Sequence, residues 1–197
     1  MAAKVDVVRG GIAPPTETAA PPEERARGSL RLLFVGADAF RKGIVPVVRA
    51  VEGCRRGGLE VELTVISAVR GGAGYTHREY TPSAREWRRK LEELPFVEYH
   101  AGLPNQRVRE EMRRHDVLVF PTFDESLGWV IVEAGLERLP SIATNIFAIP
   151  ELIDDRRSGA LVELELGAES RWQGIWETGE RRRESIERAD GTIEEGI

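Results

Sequence analysis

The stretch Asp116-Val-Leu-Val-Phe-Pro121-Thr-Phe-Asp-Glu125-Ser-Leu-Gly-Trp-Val-Ile-Val-Glu133 decides the fold. It opens on a short apolar run stopped by Pro121, the pattern of a strand buried on both faces of a parallel sheet. A polar turn follows. The spacing then predicts a helix that opens near Ser126 and runs through Trp129, Val130, Ile131, Val132, Ala134 and Leu136. Glu125 lies just before that helix and Glu133 about two turns inside it, so the two acids do not share a helical face. A strand end, a loop and an exposed helix N-terminus leave backbone N–H groups free for an anion. Glu133 stands among apolar residues, and burying even a neutral polar group unpaired costs roughly 2–7 kcal/mol. It therefore either reaches water in a stripe with Glu137 or has a polar partner.

Upstream, Leu30 to Val35 reads as a strand ending at Gly36. The next helix carries Ile44, Val47, Val48 and Val51 at i, i+3, i+4 and i+7, with Pro46 tolerable only in its first turn. Val61 to Ile66 is a second strand, followed by a loop with Gly71, Gly72 and Gly74. Pro82 to Leu94 is a charged amphipathic helix with Trp87 and Leu91 four apart. Phe96 to Tyr99 is a third strand ending in His100-Ala101-Gly102, and a short helix with Val108 and Met112 inward begins near Pro104. Downstream, Pro140 to Thr144 and Gly159 to Val162 are strands, with a helical turn over Pro150 to Ile153 between them. Strands alternating with helices at this spacing predict an α/β fold, a single Rossmann-like doubly wound parallel sheet. Such sheets bind ligands beyond the carboxyl ends of their strands, which puts Gly36, Gly102, Pro121 and Thr144 on one rim.

This core is expected over residues 29–163. Residues 1–28 hold a short strand candidate (Val5 to Val8) and a Pro-rich linker, and residues 164–197 read as an acidic irregular tail without a lasting apolar stripe. From Glu163 onward there are ten acidic and five basic residues, which accounts for the whole net charge of -5. The rest is neutral overall, which argues against a nucleic-acid surface. Cys54 is the single cysteine, so neither a disulfide framework nor a cysteine metal site is expected. No stretch is apolar for long enough to cross a membrane, and the first residues lack a signal-peptide core. The expectation is a cytoplasmic protein, with peripheral association at the inner membrane face left open.

Arg41 and Lys42 sit on the rim at a helix start, where the macrodipole disfavours cations. An anion such as a diphosphate explains them better than an ordinary charged helix start. Gly36-Ala37-Asp38-Ala39-Phe40 meets neither the dinucleotide fingerprint nor the P-loop pattern. His77, His100 and His115 have no metal-ligand spacing, and His115 reads as a surface residue. Asp124-Glu125 reads as a solvated pair.

Together, Phe34-Val35-Gly36, Arg41-Lys42-Gly43, Pro121 to Gly128, Glu133-Ala134, Pro140 to Thr144 and Pro150 to Ile153 resemble glycosyltransferase family 4. Its members are retaining enzymes with two Rossmann-like domains. The similarity is to their C-terminal, nucleotide-sugar-binding half, the C-terminal half of a B-type glycosyltransferase fold. It implies transfer of a sugar from a nucleotide-diphosphate donor to an acceptor hydroxyl, with no metal or other cofactor. Glu125 would face the donor sugar, and Arg41 and Lys42 would neutralise the diphosphate. The N–H groups of Leu127 and Gly128 would bind the distal phosphate and Glu133 the ribose hydroxyls. Gly36 would line the same rim, and residues from His100 to Gly102 the base pocket. Three departures stand out: Ala37-Asp38 replaces an expected arginine, Arg138 an expected glycine, and Phe147-Ala148 a Gly-Gly turn. No acceptor-binding domain is visible, so a missing N-terminal domain or complementary chain is an expected partner. The alternative is a non-catalytic nucleotide- or partner-binding remnant.

Overall fold

The computed structural model describes residues 28–70, 83–154, 157–177 and 179–197. The expectations placed on Val5 to Val8, on most of the Pro-rich segment, on Gly71 to Gly74 and on His77 lie outside the described residues. Strands β1 (Leu30–Val35), β2 (Val61–Ile66), β3 (Val97–His100), β4 (Val117–Phe120), β5 (Ser141–Thr144) and β6 (Gly159–Val162) form one sheet in the order β3-β2-β1-β4-β5-β6. Every neighbouring pair is parallel. Helices α1 (Ile44–Arg56), α2 (Ala84–Glu93), α3 (Asn105–Met112), α4 (Trp129–Leu136) and α5 (Ile149–Leu152) make the crossovers. This is the expected Rossmann-like α/β sheet.

Alternation along the strands builds two cores. Leu32 and Phe34 of β1, with Leu63 and Val65 of β2, pack against Ile44, Val47, Val48 and Val51 of α1 and Leu91 of α2. On the other face Leu33, Leu118, Phe120 and Ala143 meet Val108 and Met112 of α3 and Ile131 and Ala134 of α4. Strand order runs outward from β1 in one direction and from β4 in the other, so the topological switch lies between them. In an open α/β sheet that is where a ligand crevice opens.

Four expectations are corrected. The central helix starts at Trp129, not near Ser126, because Gly128 adopts a left-handed backbone (φ 82) that ends the loop. Glu133 is thus little more than one turn inside α4. Glu137 is no part of a solvated stripe; its side chain is fully buried against Arg109 and Arg113. His115 is buried between α3 and β2 rather than on the surface. Its Nδ1 lies 2.6 Å from the Glu111 carbonyl, which can only accept, so Nδ1 donates there, and Nε2 lies 2.8 Å from Thr64 Oγ1. Burial lowers the ring's pKa, outweighing the Glu111 carbonyl and carboxylate.

Finally, the acidic segment after Glu163 is not irregular. After two 3-10 turns it forms α6 (Gly179–Gly196), which lies along α1 and contributes Ile186, Ala189 and Ile193 to the core. The stripe hid from sequence reading because polar Ser185 and Asp190 share the buried side with the apolar residues. Ile193→Ala should lower the free energy of unfolding in urea by roughly 2–4 kcal/mol. An unchanged transition would mean that α6 is not docked.

Asp190 sits 3.8 Å from Arg49 and is raised to about 7, because burial outweighs Arg49 while Glu194 and Glu187 add to the rise. A folded-state value above the ordinary 3.8 favours the fold below that value and loses the advantage as pH rises through about 7. Asp190→Asn should therefore flatten the fall in stability between acid and neutral pH, worth up to ~4 kcal/mol. A slope identical to wild type would contradict it.

Candidate functional site

The loops after β1 and β4 carry most of the predicted site residues, and the fold stitches those loops together at the switch point. Phe123 N donates to Arg41 O at 3.0 Å. Thr122 is fully buried; its hydroxyl donates to Asp124 O at 2.8 Å, and its carbonyl accepts from Thr144 Oγ1 at 2.6 Å. Gly43, at φ 83, lets the start of α1 lie against the second loop. A Cβ there would stand 2.3 Å from Pro121 O. Gly36 is required by a side chain: its Cβ would meet Lys42 Cγ at 2.8 Å.

Through that gap Lys42 reaches the second loop. Its Nζ donates to Glu125 Oε2 at 2.7 Å and to Asp124 O at 2.9 Å, and lies 5.2 Å from the centre of the Phe120 ring. Lys42 is buried, and desolvation lowers its pKa despite the pull of Glu125 in the other direction. For Glu125, burial by itself pushes the carboxyl up. The hydrogen bond and charge of Lys42, with the N–H groups of Ser126 and Gly128, outweigh it and bring it below its ordinary value. Ser126 N donates to Glu125 Oε1 at 2.9 Å. The carboxylate thus occupies the anion position at the opening of α4, facing a lysine and two backbone donors.

Arg41 stands beside this pair, 3.4 Å from Asp124 and 3.7 Å from Asp38. Its buried Nε has no hydrogen-bond partner. Asp124, expected to be solvated, is buried and takes part in the cluster. Neither Asp38, a single acid between two alanines, nor the adjacent Asp124-Glu125 carries a sequence signal that cations lie across from it.

Glu133 lies on the same helix but has a different partner. Its Oε1 accepts from Asn105 Nδ2 at 3.1 Å. One turn on, Glu137 accepts from Arg109 Nε at 2.6 Å and Arg113 Nε at 2.7 Å. Helices α3 and α4 therefore run side by side, joined by acids of α4 and donors of α3. No spacing in the sequence pairs Asn105 with Glu133, which is why that partner was not foreseen. Gly102 follows β3 in an exposed turn with open space where a Cβ would lie. Leu127 belongs to the loop that leads into α4.

Two of the three departures keep the backbone that glycine would give. Arg138 has φ 60 and Phe147 φ 50. Phe147 N donates to Ser170 O at 2.8 Å, and its ring lies 5.3 Å from the Arg171 guanidinium carbon. Among the described residues no group of three acidic, histidine or cysteine side chains could hold a metal ion, and no helix is long and apolar enough to cross a membrane.

A family model described as "Glycosyl transferases group 1" matches residues 29–170. A D-inositol 3-phosphate glycosyltransferase of Corynebacterium kroppenstedtii is 30% identical over 132 residues, covering 67% of this chain and 29% of that protein. The chain thus spans less than a third of that relative's length. Among solved structures, the C-terminal domain of the group 1 glycosyl transferase LpcC from Francisella tularensis superposes with a TM-score of 0.56 at 18% identity, covering 91% of each chain. Anabaena HepE, solved with UDP and glucose, gives a TM-score of 0.53 at 19% identity over 85% of this chain and 42% of its own.

Lys42→Met should leave the part-buried Glu125 carboxylate without its cation. Its pKa, followed by carbon NMR of the side-chain carboxyl, should move from below 4.5 to above it. In the wild type the stability that this acid contributes is present above its unfolded value and is lost as pH falls through the depressed folded value. A Glu125 titration unmoved by Lys42→Met would show that the pairing does not form.

Proposed function

The chain belongs to the glycosyl transferases group 1 family, and from that membership we propose that it is the donor-binding half of such an enzyme. The reaction is transfer of a sugar from a nucleotide diphosphate to an acceptor hydroxyl, with retention of configuration. The observation that carries the reading is the Lys42–Glu125 pair at the switch point of the sheet, a buried lysine against a part-buried glutamate. A cation facing backbone N–H groups at the opening of α4 suits a phosphate, and here the Glu125 carboxylate fills that place.

A donor diphosphate takes over these donors from Glu125. Lys42, Arg41 and the N–H groups of Leu127 and Gly128 then face the phosphates. Glu125, displaced from the anion position, turns toward the donor sugar. As the sugar leaves, negative charge grows on the diphosphate, and fixed cations in a partly dry site stabilise it most at that moment. Glu133 accepts from the ribose hydroxyls. None of these steps draws on a metal.

An acceptor-binding domain, in the same polypeptide or in another chain, completes the site; positioning of the acceptor contributes a large share of the rate. The isolated 197 residues are accordingly expected to bind donor without transferring at an enzyme's usual rate. The second reading, a non-catalytic binding remnant, draws on Asp38, an acid where the resemblance expects an arginine.

Calorimetry with UDP, GDP and ADP separates the two. One nucleotide should bind, and Glu133→Ala should weaken it by roughly tenfold or more, the loss of hydrogen bonds to a charged group. Absence of binding to all three would favour the remnant.

A further inference from the structure

We infer that Asn105 orients Glu133 for the ribose of the donor, an inference that rests on the role of Glu133 proposed above. Asn105 is the first residue of α3, and its Nδ2 donates to Glu133 Oε1 at 3.1 Å. A hydrogen bond between two water-accessible side chains is weak when nothing else holds the groups in place. Here a buried clasp one turn away does so. Arg109 and Arg113 close on Glu137, whose side chain is fully buried, and Arg109 pairs with Glu137 at the same sequence separation of 28 as Asn105 with Glu133. The two helices are locked in parallel register, so the first turn of α3 is held opposite the middle of α4.

The chemistry of the amide fits that position. An ionised carboxylate offers about four lone-pair sites. Asn105 takes one on Oε1 and fixes the plane of the group, leaving the remainder for two hydroxyl donors. A vicinal diol on a ribose ring presents two such donors side by side. Asn105 also follows directly from Gly102-Leu103-Pro104, the turn at the end of β3. One residue thereby ties the turn expected near the base to the acid expected at the ribose. Asn105 acts through Glu133 and is a positioning residue.

The test compares the nucleoside diphosphate that the wild-type chain binds with its 2′,3′-dideoxy analogue. Wild type should favour the ribose form by roughly tenfold. Asn105→Ala should remove most of that preference while leaving affinity for the dideoxy analogue unchanged, a split that a merely structural role would not produce. Asn105→Asp is nearly isosteric and suits a helix start. It should fold and lose the preference as well, because a second carboxylate repels Glu133, so the test survives if the alanine variant is unstable. Full preference retained in both variants, or equal weakening of both ligands, overturns the assignment of Asn105 alone. A wild type that does not distinguish the two sugars overturns the role of Glu133, and the inference falls with it.

Discussion

One ion pair, a buried lysine against a part-buried glutamate, organises this molecule. Lys42 and Glu125 come from loops at the ends of β1 and β4, which neighbour each other only because the strand order reverses there. The lysine passes through a space that exists only while position 36 is glycine, and α1 starts where it does only because Gly43 can lie against the carbonyl of Pro121. Two charges taken out of water need good geometry and additional hydrogen bonds to be tolerated. The carbonyl of Asp124, the ring of Phe120 and the N–H groups around Ser126 supply them. A buried pair of this kind is weak evidence for stability. It is better evidence for a place where charge is exchanged with a ligand.

Helix α4 carries a second acid into a separate setting. Glu133 lies little more than one turn inside α4, past the loop that holds Glu125, and its partner belongs to α3. Around α4 two settings therefore lie side by side: Lys42 and Arg41 against Asp38, Asp124 and Glu125 where the loops meet, and Glu133 against Asn105 where the helices meet. The matched family and the solved structures share this α/β sheet, and the chain covers 91% of an isolated C-terminal domain of that family.

The parallel sheet was legible because its signal is local. Apolar runs such as Val117 to Phe120 and the i, i+3, i+4, i+7 pattern of α1 depend on residues close in sequence. The rim placement of Arg41 and Lys42 followed from the sheet. What stayed hidden depended on partners far along the chain. Glu137 reads as solvated until Arg109 and Arg113 are placed beside it, and His115 reads as exposed until Thr64 is above it. The docking of α6 was obscured by polar residues on its buried side. Arg138 and Phe147, where the resemblance expects glycine, both hold a left-handed backbone. Holding a non-glycine residue there costs about 1–2 kcal/mol, which the surrounding contacts of Phe147 help to offset.

The most direct test of this account is a crystal structure of the chain saturated with a nucleoside diphosphate. The account predicts phosphate oxygens within hydrogen-bond distance of Lys42 Nζ, the Glu125 carboxylate displaced from that nitrogen, and the ribose diol on Glu133. A nucleotide bound elsewhere, with the Lys42–Glu125 pair still closed, would contradict it.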